Sequence, residues 1–216
     1  MKKLLLYLLI GTCLVSCRED EVVVPTEYEI IPEEVKPGQK IIGMYLLNEG
    51  NMGSNKSTLD YVDFSQGYYV RNLYAERNPH VIKELGDVGN DIQIYGSRIY
   101  AVINCSNKIE VLDARTAHRI GQVNIPNVRY VRFHKGYAYA TSYVGPVQLN
   151  NPDAVQGAVY KIDTLSLKPV AKCTVGFQPD ELCVLGQYIY VANSGGYMAP
   201  NYDKTVSVIE IEGFKQ

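Results

Sequence analysis

The sequence has no tryptophan, only three histidines and, across 216 residues, no apolar run long enough to cross a bilayer. A membrane-spanning helix needs about 20 apolar residues in a row. The strongest apolar run, Leu4 to Ile10 with a looser continuation to Val15, is shorter than that. Surplus charge of one sign is also missing, since 21 Lys and Arg stand against 23 Asp and Glu. Without a basic surplus there is little to neutralise phosphates, which argues against a nucleic-acid partner. His80, His118 and His134 are scattered without metal-ligand spacing, and no cysteines form a close C-x-x-C pair, so no zinc site is expected. No long stretch repeats its apolar residues with a helical period.

The N-terminus is distinctive. Met1-Lys2-Lys3 is a short cationic segment, the apolar run follows, and Leu14-Val15-Ser16-Cys17 ends it. The charge, length and small Ser16 suit an export signal. The last four residues resemble the bacterial lipobox, which implies cleavage before Cys17 and lipid on that cysteine. The alternative is an ordinary signal peptide with an incidental cysteine. Arg18-Glu19-Asp20-Glu21 is similar to the acidic surface-export signal of Bacteroidetes lipoproteins. That similarity implies an outer-membrane lipoprotein facing outward, a periplasm-facing one being the alternative. Val22 to Lys40 carries four acids and three prolines, the composition of an extended linker. The expected organisation is therefore a signal peptide at 1–16, a lipidated acidic tether at 17–40 and a folded domain at 41–216.

Tyrosine is abundant, at 18 residues. It favours strands and offers flat amphipathic surface. Beyond the signal and anchor, Cys105, Cys173 and Cys183 remain, an odd number that cannot pair completely. Cys173 and Cys183 lie in neighbouring strand candidates and could form one bridge.

The body repeats itself. Gly96 to Val102, Lys135 to Thr141 and Gly186 to Ala192 each read as a turn residue followed by an alternating strand with tyrosine at one fixed place. Gly43 to Asn48 is an earlier relative. After each comes a strand ending in an acid, namely Asp63, Asp113, Asp163 and Glu210. A short turn and a further strand follow three of them, and one more strand precedes three of the tyrosine strands. The unit is four short antiparallel strands, a to d, at a period of about 40–50 residues, as in a propeller blade. The acid after strand c is expected to cap the c–d turn through its own backbone. The fold class is all-β: a β-propeller of four-stranded antiparallel blades, of which only about 3.5 are present. The blades run from about 41–79, 80–127, 128–177 and 178–216. About four to eight blades close a ring, so the chain reads as a partial propeller, with a small or intermolecular assembly as the alternative.

Gly186-Gln187-Tyr188-Ile189-Tyr190-Val191-Ala192-Asn193, with Gln178-Pro179-Asp180 ahead of it, is similar to the blade motif of the YncE-like seven-bladed β-propellers. Together with the lipobox and the acidic tether, it resembles surface propeller lipoproteins of gut Bacteroidetes. The resemblance implies capture of cobalamin or another corrinoid for a TonB-dependent outer-membrane transporter. It implies no cofactor and no catalysis.

Loop lengths place the expected site. The a–b and c–d turns are tight. Three of four b–c loops are long (Asn48 to Ser57, Ser142 to Gln156, Asn193 to Lys204), as is the d–a connection Ala75 to Asn90. In a propeller these all emerge on one face, and binding residues concentrate in loops carried by a rigid scaffold. The candidate ligand-binding residues are Asn48, Asn51, Met52, Asn90, Asn104, Tyr143, Gln148, Asn150, Asn193, Tyr197 and Tyr202. Their amides donate and accept, their rings are flat and methionine adapts. This chemistry suits a large neutral ligand, a corrinoid or a glycan, and a protein partner is a further alternative. A propeller hydrolase or lactonase is the competing class, but Glu49, Asp153 and Asp203 lie in separate loops and form no compact catalytic set.

Overall fold

The computed structural model describes residues 24–30, 41–82 and 84–216. The signal segment 1–16 and Cys17 lie outside the described residues. Four antiparallel sheets form a partial β-propeller. Sheet one holds β1 (Glu27–Ile30), β2 (Gly43–Asn48), β3 (Thr58–Asp63) and β4 (Tyr68–Arg71), followed by the short helix α1 (Leu73–Arg77). Sheet two is β5 (Gly89–Tyr95), β6 (Arg98–Ile103), β7 (Lys108–Asp113) and β8 (Arg119–Asn124). Sheet three is β9 (Val128–His134), β10 (Tyr137–Ser142), β11 (Ala158–Asp163) and β12 (Lys168–Thr174). Sheet four has three strands, β13 (Pro179–Leu185), β14 (Tyr188–Asn193) and β15 (Thr205–Glu210). Sheets two and three run a to d in chain order. Sheet four holds a, b and c, while sheet one holds b, c and d.

Strand β1 corrects one expectation. The composition of 17–40 reads as an extended tether, yet Glu27–Ile30 pairs with β4 along the outer edge of blade 1. Asn72 Nδ2 donates to the Val24 carbonyl at 2.6 Å, and Thr26 Oγ1 to the Asn72 carbonyl at 3.2 Å. Arg71 pairs with both Glu27 and Glu29. Alternating charges on Glu27 and Glu29 are what an exposed edge strand tolerates, so composition alone did not separate strand from linker.

The blades pack face to face, which explains why strand b of each blade is largely apolar. In β6, Ile99, Ala101 and Ile103 face blade 1 and meet Leu59, Tyr45 and Leu47. The alternate residues Tyr100 and Val102 face blade 3 and meet Val131, Ala138, Ala140 and Ile162. One blade along, Tyr139 and Val159 meet Ile189, Val191 and Ile209. A strand buried on both faces cannot alternate polar and apolar residues. Each large side chain so buried is worth about 1.5–3 kcal/mol. The repeated tyrosine, Tyr45, Tyr100 and Tyr139, leans toward the next blade. Tyr45 donates to the Ala114 carbonyl at 3.1 Å, and burial pushes its phenol up to about 12.

Three of the four acids after strand c, Asp63, Asp113 and Asp163, cap the c–d turns. Asp63 Oδ1 accepts from the Ser65 and Gln66 amides at 2.8 and 2.9 Å. Asp113 Oδ1 does the same for Arg115 and Thr116, and Asp163 Oδ1 for Leu165 and Ser166. Among the described residues the cysteines are unpaired: Cys173 is buried, Cys183 is exposed and Cys105 is half-buried. The bridge considered between Cys173 and Cys183 does not form, because Cys173 faces the packed core between blades 3 and 4 while Cys183 faces away from it.

Candidate functional site

The strands deliver the long loops to one face, and the structure ties these loops down in two pairs. The first pair is the b–c loop of blade 1 and the connection into blade 2. Asp87 holds it, accepting from the Gly53 amide at 2.8 Å, while the Gly89 amide donates to the Glu49 carbonyl. The second pair is the b–c loops of blades 3 and 4. The Asn150 amide donates to the Tyr197 carbonyl at 2.8 Å, and the Tyr143 and Tyr197 rings meet edge to face at 6.4 Å.

Beneath the second pair lies a charged floor on the inner strands. Each complete inner strand carries a β-bulge at the same height: at Asn90 in β5, Arg129–Tyr130 in β9 and Asp180–Glu181 in β13. A bulge re-aims a side chain that regular pleating would point elsewhere. Here the bulges bring Arg129 and Asp180 together. Asp180 Oδ1 accepts from Arg129 Nε at 3.1 Å and from the Tyr143 hydroxyl at 2.7 Å, and its Oδ2 accepts from Ser194 Oγ at 2.7 Å. The Arg129 guanidinium lies over the Tyr143 ring, 5.0 Å from its centroid. Burial drives the Tyr143 phenol well above its usual range, so it remains a donor. Further down the same wall, Arg132 bridges Asp91 and Glu181, each at 2.7 Å.

These contacts divide the eleven candidates. Five have their side chains engaged within the protein. Asn48 Nδ2 donates to Thr58 and Asp60, and Asn193 Nδ2 makes the equivalent pair to Thr205 and Ser207. That repeated device clamps strand b to strand c. Asn90 and Asn104 donate to the carbonyls of Arg129 and Val128. Tyr143 is 4% exposed and bound to Asp180. The rest present themselves outward: Asn51, Met52, Gln148, Asn150 and Tyr202 are exposed, and Tyr197 is half-buried. Leu149 and Val155 are exposed beside them. Reading the sequence missed Arg129, Asp180, Asp87 and Ser194. The Gln178-Pro179-Asp180 motif signalled Asp180, but no local pattern reveals a partner 51 residues away.

A cavity of about 630 Å³ lies between blades 1 and 2, below the connection into β5. Tyr74, His80, Lys108, Glu110 and Arg119 line it. The Glu110 carboxylate is fully buried and is held by Lys108 Nζ at 2.8 Å and by Arg119. The neighbouring Tyr74 phenol is pushed far up by burial. Among the described residues no three His, Cys, Asp or Glu converge as a metal site. Ser194 is engaged as a donor to Asp180, and the three histidines lie outside that cluster.

A family model described as a domain of unknown function, DUF5074, matches residues 42–216. The chain belongs to that family. No curated protein matches it. Among solved structures it is similar to hydrazine synthase of Kuenenia stuttgartiensis, with 17% identity, a TM-score of 0.54, and 78% of this chain covering 48% of that one. It is also similar to the dihydro-heme d1 dehydrogenase NirN, with 12% identity, a TM-score of 0.50, and coverage of 87% and 35%. The computationally designed protein Ika8 matches at 11% identity and a TM-score of 0.50, with coverage of 79% and 44%. These likenesses concern the fold. The chain spans less than half the length of each of these structures.

Proposed function

We propose that this chain is a surface-anchored propeller lipoprotein of the YncE-like Bacteroidetes type, which captures a large neutral amphipathic ligand on its long-loop face. A corrinoid is the preferred ligand, to be presented to a TonB-dependent outer-membrane transporter. The supporting observation is the composition of the free loop side chains: Met52, Gln148, Leu149, Asn150 and Tyr202 are exposed, uncharged and mixed between amide and apolar surface. They sit on loops fixed by Asp87 in blade 1 and by the Arg129–Asp180–Tyr143 network in blades 3 and 4, so little ordering cost is expected on binding. A corrinoid matches them with an amide fringe around an apolar ring.

Calorimetric titration of cyanocobalamin into the full chain in neutral detergent tests this reading. Saturable binding is expected, weakened roughly tenfold by Tyr202→Ala or Met52→Ala, as for the loss of one interface anchor. No heat from a chain with a folded β circular-dichroism spectrum rejects the corrinoid, and binding of a neutral oligosaccharide at the same residues would put a glycan in its place.

A further inference from the structure

The underside of the propeller, opposite the long loops, carries a second cavity of about 430 Å³ between blades 3 and 4. Its origin is visible in the repeat. At the same place between blades 2 and 3, the Tyr95 ring stacks on Phe133 at 4.7 Å, Tyr100 leans on Phe133 at 4.7 Å, and Val111 fills the remainder. Counting one blade along, His134 replaces Tyr95, Val184 replaces Phe133 and Lys161 replaces Val111. A phenol and a phenyl ring give way to an imidazole and a smaller isopropyl group, a lysine replaces a valine, and Phe214 packs against Tyr139 with ring centroids 5.9 Å apart. The packed corner becomes a hollow.

The hollow is basic. His134, Lys135 and Lys161 line it with Tyr137 and Tyr139, and Glu212 is the carboxylate among the lining residues, exposed at the rim. None of the three basic residues takes part in an ion pair among the described residues. Lys161 Nζ instead rests over the Tyr137 ring, 4.4 Å from its centroid. Lys135 occupies an a–b turn position at a φ of 45°, where the neighbouring blades use Gly96 and Gly186 at 61°. A side chain in that left-handed conformation is strained relative to glycine. Tyr139 is fully buried and its hydroxyl has no hydrogen-bond partner. An unmet buried hydroxyl costs about 1–3 kcal/mol; Tyr100 carries the same cost in the filled corner, whereas Tyr139 lines the cavity, where a ligand oxygen would relieve it. Burial raises the Tyr139 phenol above its usual value, so it stays protonated and can donate.

We propose that this cavity, lined by Lys135, Lys161, His134 and Tyr139 with its unpartnered hydroxyl, is a binding site for a small organic anion bearing a carboxylate or phosphate. The lysines supply charge, Tyr139 a fixed donor, and the Tyr137 ring an apolar wall. The volume lies within the range of about 300–1,000 Å³ usual for small-molecule sites.

The test titrates the full chain in neutral detergent with citrate, with glucose 6-phosphate and with glucose as the uncharged control. Saturable binding of at least one anion, at ~1 mM or tighter, with none of glucose, is expected. Citrate alone would assign a carboxylate ligand, and glucose 6-phosphate alone a phosphate. Lys161→Met or Tyr139→Phe should weaken it roughly tenfold, the size of a lost charge-assisted or buried hydrogen bond. The pair Lys161→Val with Val184→Phe rebuilds the neighbouring corner, and should abolish binding while raising the melting temperature. Tyr202→Ala, on the opposite face, should leave it unchanged. Failure of both anions to bind, or binding that survives Lys161→Met and Tyr139→Phe in a chain with unchanged circular dichroism, overturns the proposal.

Discussion

Replacing Asp180 by alanine removes three hydrogen bonds at once, and their strengths can be assigned separately. The Tyr143 and Ser194 hydroxyls each donate to the carboxylate at 2.7 Å, and a hydrogen bond to a charged group is worth about 1.5–3 kcal/mol. The ion pair with Arg129 is longer, at 3.1 Å, and Asp180 retains 27% of its side-chain exposure, which places this contact nearer ~1 kcal/mol. Taking the lower end for each hydroxyl, the sum is about 4 kcal/mol. Arg129, only 17% exposed, would in addition lose its counter-charge over the Tyr143 ring. Asp180→Asn keeps the shape and one acceptor oxygen, and should cost about half as much. Urea unfolding of both variants gives the numbers, provided the slope of stability against urea is unchanged. In a thermal melt, 4 kcal/mol corresponds to a fall of roughly 8–16 °C for a domain of this size. A loss below ~1 kcal/mol for Asp180→Ala would refute the view that this network holds the b–c loops of blades 3 and 4 in place.

Three more outcomes are expected. The amides of the c–d turns hold Asp113 and Asp163 below the usual carboxylate range. A folded value below the unfolded one, about 3.9, stabilises the protein above that pH, and the contribution is lost as pH falls through the folded value. Asp113→Asn with Asp163→Asn should therefore flatten the loss of stability below about pH 4, measured as urea midpoints against pH. A β-carbon at Gly157 would run into the Pro179 ring and the Ser142 carbonyl. Gly157→Ala should thus cost roughly 1–3 kcal/mol by overpacking, read from the same unfolding curves. Finally, maleimide labelling followed by peptide mapping should modify Cys183 rapidly and leave Cys173 protected, because Cys173 is buried and burial raises its thiol. Equal rates would contradict the packing between blades 3 and 4.

The blade period, the strand order within a blade and the capping acids were all legible along the chain. Each depends on neighbours a few residues apart: alternation within a strand, a turn residue, and an acid two or three positions before the amides it accepts from. Loop length likewise marked the face on which insertions collect. Which loop residues remain free was a different matter. Asn48 and Asn193 looked like ligand contacts, but they bond across to strand c 10–14 residues later. Tyr143 looked like a platform and is a buried donor to Asp180, 37 residues away.

The sequence by itself therefore determined the repeat, and with it the fold class, because local pattern and turn chemistry are written in adjacent residues. Only the tertiary structure decided the pairing of Arg129 with Asp180, the docking of Glu27–Ile30 on blade 1, and the opening of a cavity where His134, Lys161 and Val184 replace larger or apolar neighbours. Those outcomes depend on how one blade meets the next, across separations at which a one-dimensional pattern carries no partner information.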